Sequence, residues 1–199
     1  MSATSGPAAN VQTGEEREHD VSFVPAWRLG DLKIENDARN LWRMFGMIAE
    51  PEIQYRQKQL CAGAYVENGL AAIATAEPVF LSHLRFLHYR CAVSRNYRRR
   101  ELAWRLTAFA HALIEQWSLE NLQEKFSGLL IATEAREFAG HISAPIISKH
   151  GLDLVFIGYK PTGEQLRVMW FKHANVDERV RRPDSDTPDA AKAAEHASR

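Results

Sequence analysis

The sequence predicts a single α/β domain, a twisted mixed sheet of six to seven strands flanked by about four helices. Three observations carry this. Residues 86–93 read as an apolar strand, and residues 101–119 read as an amphipathic helix that follows it through a short, arginine-rich turn. The helix has one apolar stripe: Leu102, Leu106, Phe109, Ala110, Leu113, Ile114 and Trp117. Residues 126–133 then form a near-continuous apolar run, the pattern of a strand buried on both faces. A strand–helix–strand crossover of this kind puts a parallel pair in the middle of the sheet. Hairpin signals lie on either side of that unit, at Glu67-Asn68-Gly69 and at Lys160-Pro161-Thr162-Gly163-Glu164.

In chain order, residues 1–20 are small, polar and charged and are expected to be a disordered arm. Residues 21–29 fit a first strand that Pro25 ends or confines to an edge. From Asp31, the spacing of Leu32, Ile34, Ala38, Leu41, Trp42, Phe45 and Ile48 predicts a helix, and Pro51 starts a second short one to Gln59. Residues 60–66 and 70–76 pair across the Asn-Gly turn, with a break or bulge at Pro78. Residues 80–83 extend the strand toward another turn. Residues 134–150 read as a weaker helix interrupted by Pro145 and stopped by Gly151. Residues 152–159 and 165–171 form a closing hairpin, which offers a pairing surface for a homodimer. The domain thus spans 21–173, and 174–199 is expected to be a disordered tail, rich in Asp, Pro and Ala.

The totals exclude several classes. Apolar residues make up 45% of 199, enough for a core. Lys+Arg and Asp+Glu are both 25, so overall charge gives no reason to expect nucleic acid. The basic residues are nevertheless clustered: Arg85, Arg90, Arg95, Arg98, Arg99, Arg100 and Arg105 fall in one stretch. No apolar run is long enough to span a membrane, and the first residues lack the pattern of a secretory leader. Cys61 and Cys91 sit in strand-like runs and read as buried free thiols of a reducing, cytoplasmic compartment. No zinc-ligand spacing is present, so no metal is expected.

The strand–turn–helix unit is suited to an anion, because the first N–H groups of a helix lack partners and its dipole favours negative charge. Its residues also resemble the GNAT acetyltransferase superfamily. That family's pattern is a strand ending in Val, then x-Pro-x-Tyr/Trp, then Arg/Gln-x-x-Gly-x-Gly/Ala opening a helix. Here Val93, Tyr97, Arg98 and Ala103 match without a gap, Leu102 is a common apolar choice, and Arg95 and Glu101 stand where proline and glycine are usual. Lys149-His150-Gly151-Leu152 resembles the family's Lys-x-Gly-Phe helix exit.

The resemblance implies acetyl-coenzyme A, or another acyl-coenzyme A, as cofactor. It also implies a strand at Arg90–Val93, including Cys91, that splays from its neighbour to pair with the pantetheine arm. The turn residues Arg98, Arg99, Arg100, Glu101, Leu102 and Ala103 would cradle the pyrophosphate, and the Val93 N–H would polarise the thioester carbonyl. The acceptor would be an amine, on a small molecule or a protein, in a pocket built from 31–60, 76–85 and 159–165. The family's usual base and acid positions hold Leu87 and Ile147 instead. The remaining catalytic candidates are Tyr89, Glu77 and His83. Tyr89 has the right strand parity but also reads as a core tyrosine. Glu77 lies near the expected kink at Pro78 but also reads as a solvated carboxylate. His83, like His88, titrates near neutral pH but also reads as a structural histidine. Cys91 lacks a recognisable His/Asn partner for a nucleophile. Three functions stay open: an N-acyltransferase, a catalytically degenerate binding or regulatory module of the same fold, and, against the neutral overall charge, a nucleic-acid-associated modifier that uses the arginine cluster.

Overall fold

The computed structural model of the chain describes residues 20–98, 101–133 and 144–175. The expected arm and tail fall outside these, except for residues 20, 174 and 175. In chain order the elements are β1 (Val21–Pro25), α1 (Leu32–Phe45), α2 (Glu50–Gln57), β2 (Leu60–Val66), β3 (Gly69–Leu81), β4 (Leu84–Val93), α3 (Leu102–Glu120), β5 (Phe126–Thr133), β6 (Ile146–Lys149), β7 (Leu152–Tyr159) and β8 (Gln165–Trp170). They form one mixed sheet in the order β1-β2-β3-β4-β5-β8-β7-β6. The α/β class and the central β4–β5 parallel pair are as expected. The sheet has eight strands rather than six or seven, and the described residues contain three α-helices.

Local chemistry sets the boundaries. Asp31 Oδ1 accepts the Lys33 N–H at 2.8 Å and caps α1, and Gly46, at φ 55°, closes it in the left-handed conformation. Ile34, Ala38, Leu41 and Trp42 on α1 are buried against one sheet face, together with Ile53 of α2 and Ile73 of β3. α3 covers the other face, where Leu102, Leu106, Ala110 and Ile114 pack on Ala62, Ala64, Ala72, Ala74, Leu87 and Tyr89. Small alanines on β2 and β3 let the helix approach closely.

Two expectations are corrected. Pro78 does not break β3, whose register with β4 runs continuously from Ala72↔Val93 to Leu81↔Leu84. The Ala76 N–H is bonded to Gln59 O on the β2 side, so the Pro78 nitrogen faces that side too, past the last β2–β3 pair at Leu60↔Thr75. The missing donor therefore costs no ladder bond. The second correction is the helix expected over 134–150. Residues 146–149 are β6, a short edge strand paired with β7, and the segment 134–143 lies outside the described residues. Lys149-His150-Gly151-Leu152 is accordingly the turn of a β-hairpin and not a helix exit. His150 and Gly151 both take positive φ there, 51° and 75°.

Candidate functional site

β4 pairs with β3 along its whole length but with β5 only from Arg85↔Phe126 to Tyr89↔Ile131. Beyond that point β5 continues to Thr133, paired with β8 alone. Arg90–Val93 therefore has an open edge among the described residues. The polarity of that edge follows from the β3 ladder. The Ser94 N–H bonds to Ala71 O, so even-numbered β4 residues point their backbone groups at β3. Cys91 and Val93 point theirs into the gap. Arg98 Nε lies 3.4 Å from Val93 O, at the mouth of this edge.

Immediately beyond lies the N-terminus of the 19-residue helix α3. Its N-cap is Glu101, at φ 54° and ψ 5°, the left-handed conformation that a glycine adopts without strain. The backbone geometry of the usual glycine is thus kept with a glutamate in its place. Its carboxylate does not cap the helix. It accepts from Lys149 Nζ at 2.5 Å and lies 3.1 Å from His150 Nε2, both in the β6–β7 turn. The Lys149 hydrogen bond, then the His150 contact, hold its acid below the usual carboxylate range. The helical ladder begins with Arg105 N–H to Glu101 O, leaving the N–H groups of Leu102, Ala103 and Trp104 without helical partners. The Leu102 side chain is buried in the core. Arg99 and Arg100 lie outside the described residues.

The opposite sheet face carries a polar group beside this gap. Glu77 of β3 stands directly across from His88 of β4. Glu77 Oε2 accepts from Tyr55 Oη and from Gln59 Nε2, each at 2.7 Å, and Oε1 faces Arg90 Nη1 at 2.5 Å. His88 Nδ1 is 3.7 Å from Glu77 Oε1. Burial raises the Glu77 acid, but its Tyr55 hydrogen bond and the Arg90 contact lower it further, and the net direction is down. His88 is pushed down to about 4, first by burial and then by Arg90 and Lys160, against the pull of Glu77. The ring is neutral at pH 7. Tyr55 lies in α2, Gln59 two residues past its end, and Lys160 in the β7–β8 turn.

The other expected residues lie elsewhere. Tyr89 is on the α3 face, 2% exposed, with its hydroxyl hydrogen-bonded to Thr107 Oγ1 at 3.1 Å, and burial pushes its pKa well above the ordinary phenol value. Cys91 shares that face, and burial lifts its thiol to about 12, so it is no thiolate. Both cysteines are free. His83 is exposed in the β3–β4 turn, at the far end of β4 from Val93. Glu77 and His88 come together, whereas Tyr89 and His83 join neither. Two cavities, of about 610 and 460 Å³, lie away from the gap. The first is lined by Asp31, Lys33 and Tyr65, the second by His83, Arg85 and His173.

Sequence reasoning missed Tyr55, Gln59 and Arg90 as partners of Glu77. The signal was the two-residue turn Ser82-His83, which fixes Glu77 opposite His88 once the hairpin is closed there. It also missed Lys149 and His150 as partners of Glu101, because the expected helix hid the hairpin.

No protein-family profile and no curated protein matches the sequence. Solved structures do resemble the fold. A GNAT-family acetyltransferase from Streptococcus pneumoniae aligns at TM-score 0.48 and 13% identity, over 75% of this chain and 97% of that one. One from Bacillus cereus aligns at 0.46 and 14%, over 76% and 96%. An aminoglycoside 6'-N-acetyltransferase complexed with coenzyme A aligns at 0.44 and 13%, over 74% and 94%.

Proposed function

We propose that the chain is an acyl-coenzyme A-dependent N-acyltransferase, moving acetyl or another acyl group to an amine. The observation that carries this reading is the open edge of β4. Cys91 and Val93 turn their backbone groups into a gap directly before a helix whose N-cap keeps a glycine-like conformation. An extended amide chain such as pantetheine can pair with an unpaired strand edge. Arg98 and the free N–H groups of Leu102, Ala103 and Trp104 suit its phosphates, and Arg99 and Arg100 are assigned to them from the motif. Glu101 does not block the cradle with its carboxylate, which is turned onto Lys149 and His150.

Bound there, the cofactor would supply an activated thioester carbonyl. The Val93 N–H would donate to its oxygen. His88, neutral and beside the end of the β4–β5 ladder, would take the proton that the amine nitrogen loses as it attacks, and as the C–S bond breaks its imidazolium would return a proton to the departing coenzyme A sulfur, which leaves as the thiol. Glu77, whose Oε1 lies 3.7 Å from Nδ1, would favour the imidazolium that forms through its charge, while Tyr55 and Gln59 donate to Glu77 and Arg90 faces it. Tyr89, tied to Thr107 on the other face, has no part in this scheme, and His83 is too far along β4 to take one. The rival reading, a module that binds without turnover, rests on Leu87 and Ile147 at the family's base and acid positions. The His88–Glu77 pair favours transfer over it.

The test is thermal unfolding with and without saturating acetyl-coenzyme A, repeated on Arg98→Ala. A ligand held only by the folded state at about 100 times its dissociation constant stabilises by about 2.7 kcal/mol. The shift is expected in the wild type and smaller in the variant. A well-folded protein that shifts with no acyl-coenzyme A would sink the proposal.

A further inference from the structure

We propose that the amine acceptor carries an anionic group close to its amine, and that Arg56 receives it. This rests on the N-acyltransferase reading and goes on to the class of acceptor. Arg56 lies in the last turn of α2, next to Tyr55 and three residues before Gln59, the two residues that donate to Glu77. That end of α2 thus forms the wall above the His88–Glu77 pair.

The charges in this wall are unequally engaged. Arg90 Nη1 lies 2.5 Å from Glu77 Oε1, an ion pair without hydrogen-bond geometry, and Lys160 is paired with Glu164 at 3.1 Å. The side chain of Arg56 is only 19% exposed, and its sole ion pair among the described residues is a 3.9 Å contact from Nη2 to Glu52, itself 56% exposed and too distant for a hydrogen bond. Arg56 Nη1 is buried with no acceptor among the described residues. A guanidinium nitrogen in that state is costly unless an acceptor arrives.

Gln59 adds an independent observation. It is 6% exposed, and its Nε2 is engaged by Glu77. Its orientation is fixed, since the flipped amide would set Oε1 against a carboxylate. Oε1 is left buried with no donor among the described residues. The wall therefore lacks one acceptor for a cation and one donor for an amide oxygen. An amine with a carboxylate or phosphate on a nearby atom supplies both, N–H to Gln59 and anion to Arg56. A polycationic amine supplies the donor but adds charge beside Arg56, Arg90 and Lys160, whose nearby carboxylates are already engaged.

The experiment measures thermal shifts at saturating coenzyme A. The probes are small amino acids and aminophosphonates, their uncharged amides or esters, and spermidine. The wild type should be stabilised more by acids than by their amides and not by spermidine. Dissociation constants for the acids should rise at least fivefold in Arg56→Gln and recover in part in Arg56→Lys. In the wild type, the acid-over-amide preference should shrink between 50 and 300 mM salt, a readout that survives if Arg56→Gln folds poorly. Acids that bind no better than amides, a preference undiminished in Arg56→Gln, or stabilisation by spermidine would overturn the proposal. The parent reading fails separately, by the absence of any acyl-coenzyme A shift in the same protein.

Discussion

Glu101 is the residue at which this chain departs most from the pattern it resembles, and its geometry says what the departure does. A side chain at φ 54° is strained, and glycine there would be relaxed. The compensation is the pair of contacts to Lys149 and His150, which also tie the β6–β7 turn to the start of α3. The Lys149 ammonium and the His150 ring are therefore engaged by a carboxylate of the same chain. Glu101→Gln releases them, and acetyl-coenzyme A should bind on the order of fivefold tighter, the scale of one partly screened charge contact. Glu101→Gly removes the strain as well and should add little further affinity. Titration calorimetry on both variants checks this. Weaker binding in either would mean that the carboxylate helps hold the site together.

At the scale of elements, the site depends on β5 leaving β4 while staying on β8. Gly128 is part of that arrangement. A Cβ built on it would collide with the Met169 carbonyl oxygen and lie 3.0 Å from the Trp170 Cα, both backbone atoms that cannot swing aside. Gly128→Ala should therefore cost about 1–3 kcal/mol, read as a lower urea midpoint at unchanged m-value. An unchanged midpoint would mean that β5 and β8 are more loosely coupled than their register implies. These elements were unevenly legible in the sequence. The β4–turn–α3 unit and the β2–β3 hairpin followed from periodicity and turn chemistry, which are local. The open edge at Arg90–Val93 came only from the family resemblance, because where two distant strands part is not written in either one. β6 was misread as a helix end because four residues beside a proline carry too little periodicity to tell strand from helix. The Glu77–His88 pairing needed only the Ser82-His83 turn, whereas Tyr55 and Gln59 reach it through packing of α2 that no local pattern encodes.

For the molecule as a whole, the histidine proposed as base also shapes how stability depends on pH. His88 is depressed to about 4 from an ordinary 6.5, and burial pushes His111 down as well. Above pH 6.5 both rings are neutral whether the chain is folded or not, so neither penalises the native state. As pH falls from 6.5 toward 4, the unfolded chain binds protons that the folded chain refuses, and stability drops. For His88 alone the loss is about 2 kcal/mol by pH 5. Glu77, with a lowered acid, keeps its contribution until pH falls below the ordinary carboxylate value of 4.5. The wild type should thus show a lower urea midpoint at pH 5 than at pH 7, and His88→Gln should show a shallower loss, with His111 accounting for what remains. The same variant decides the role of the ring. If His88 takes the proton from the amine, His88→Gln should lower kcat by at least about a hundredfold while acetyl-coenzyme A binds as before. A wild-type rate that rises with pH would then follow the free-amine fraction of the acceptor, since the base is already neutral at pH 5. A variant that is more acid-stable and equally fast would make His88 structural, and one that binds the cofactor with no transfer in either form would move the chain to the binding-module reading.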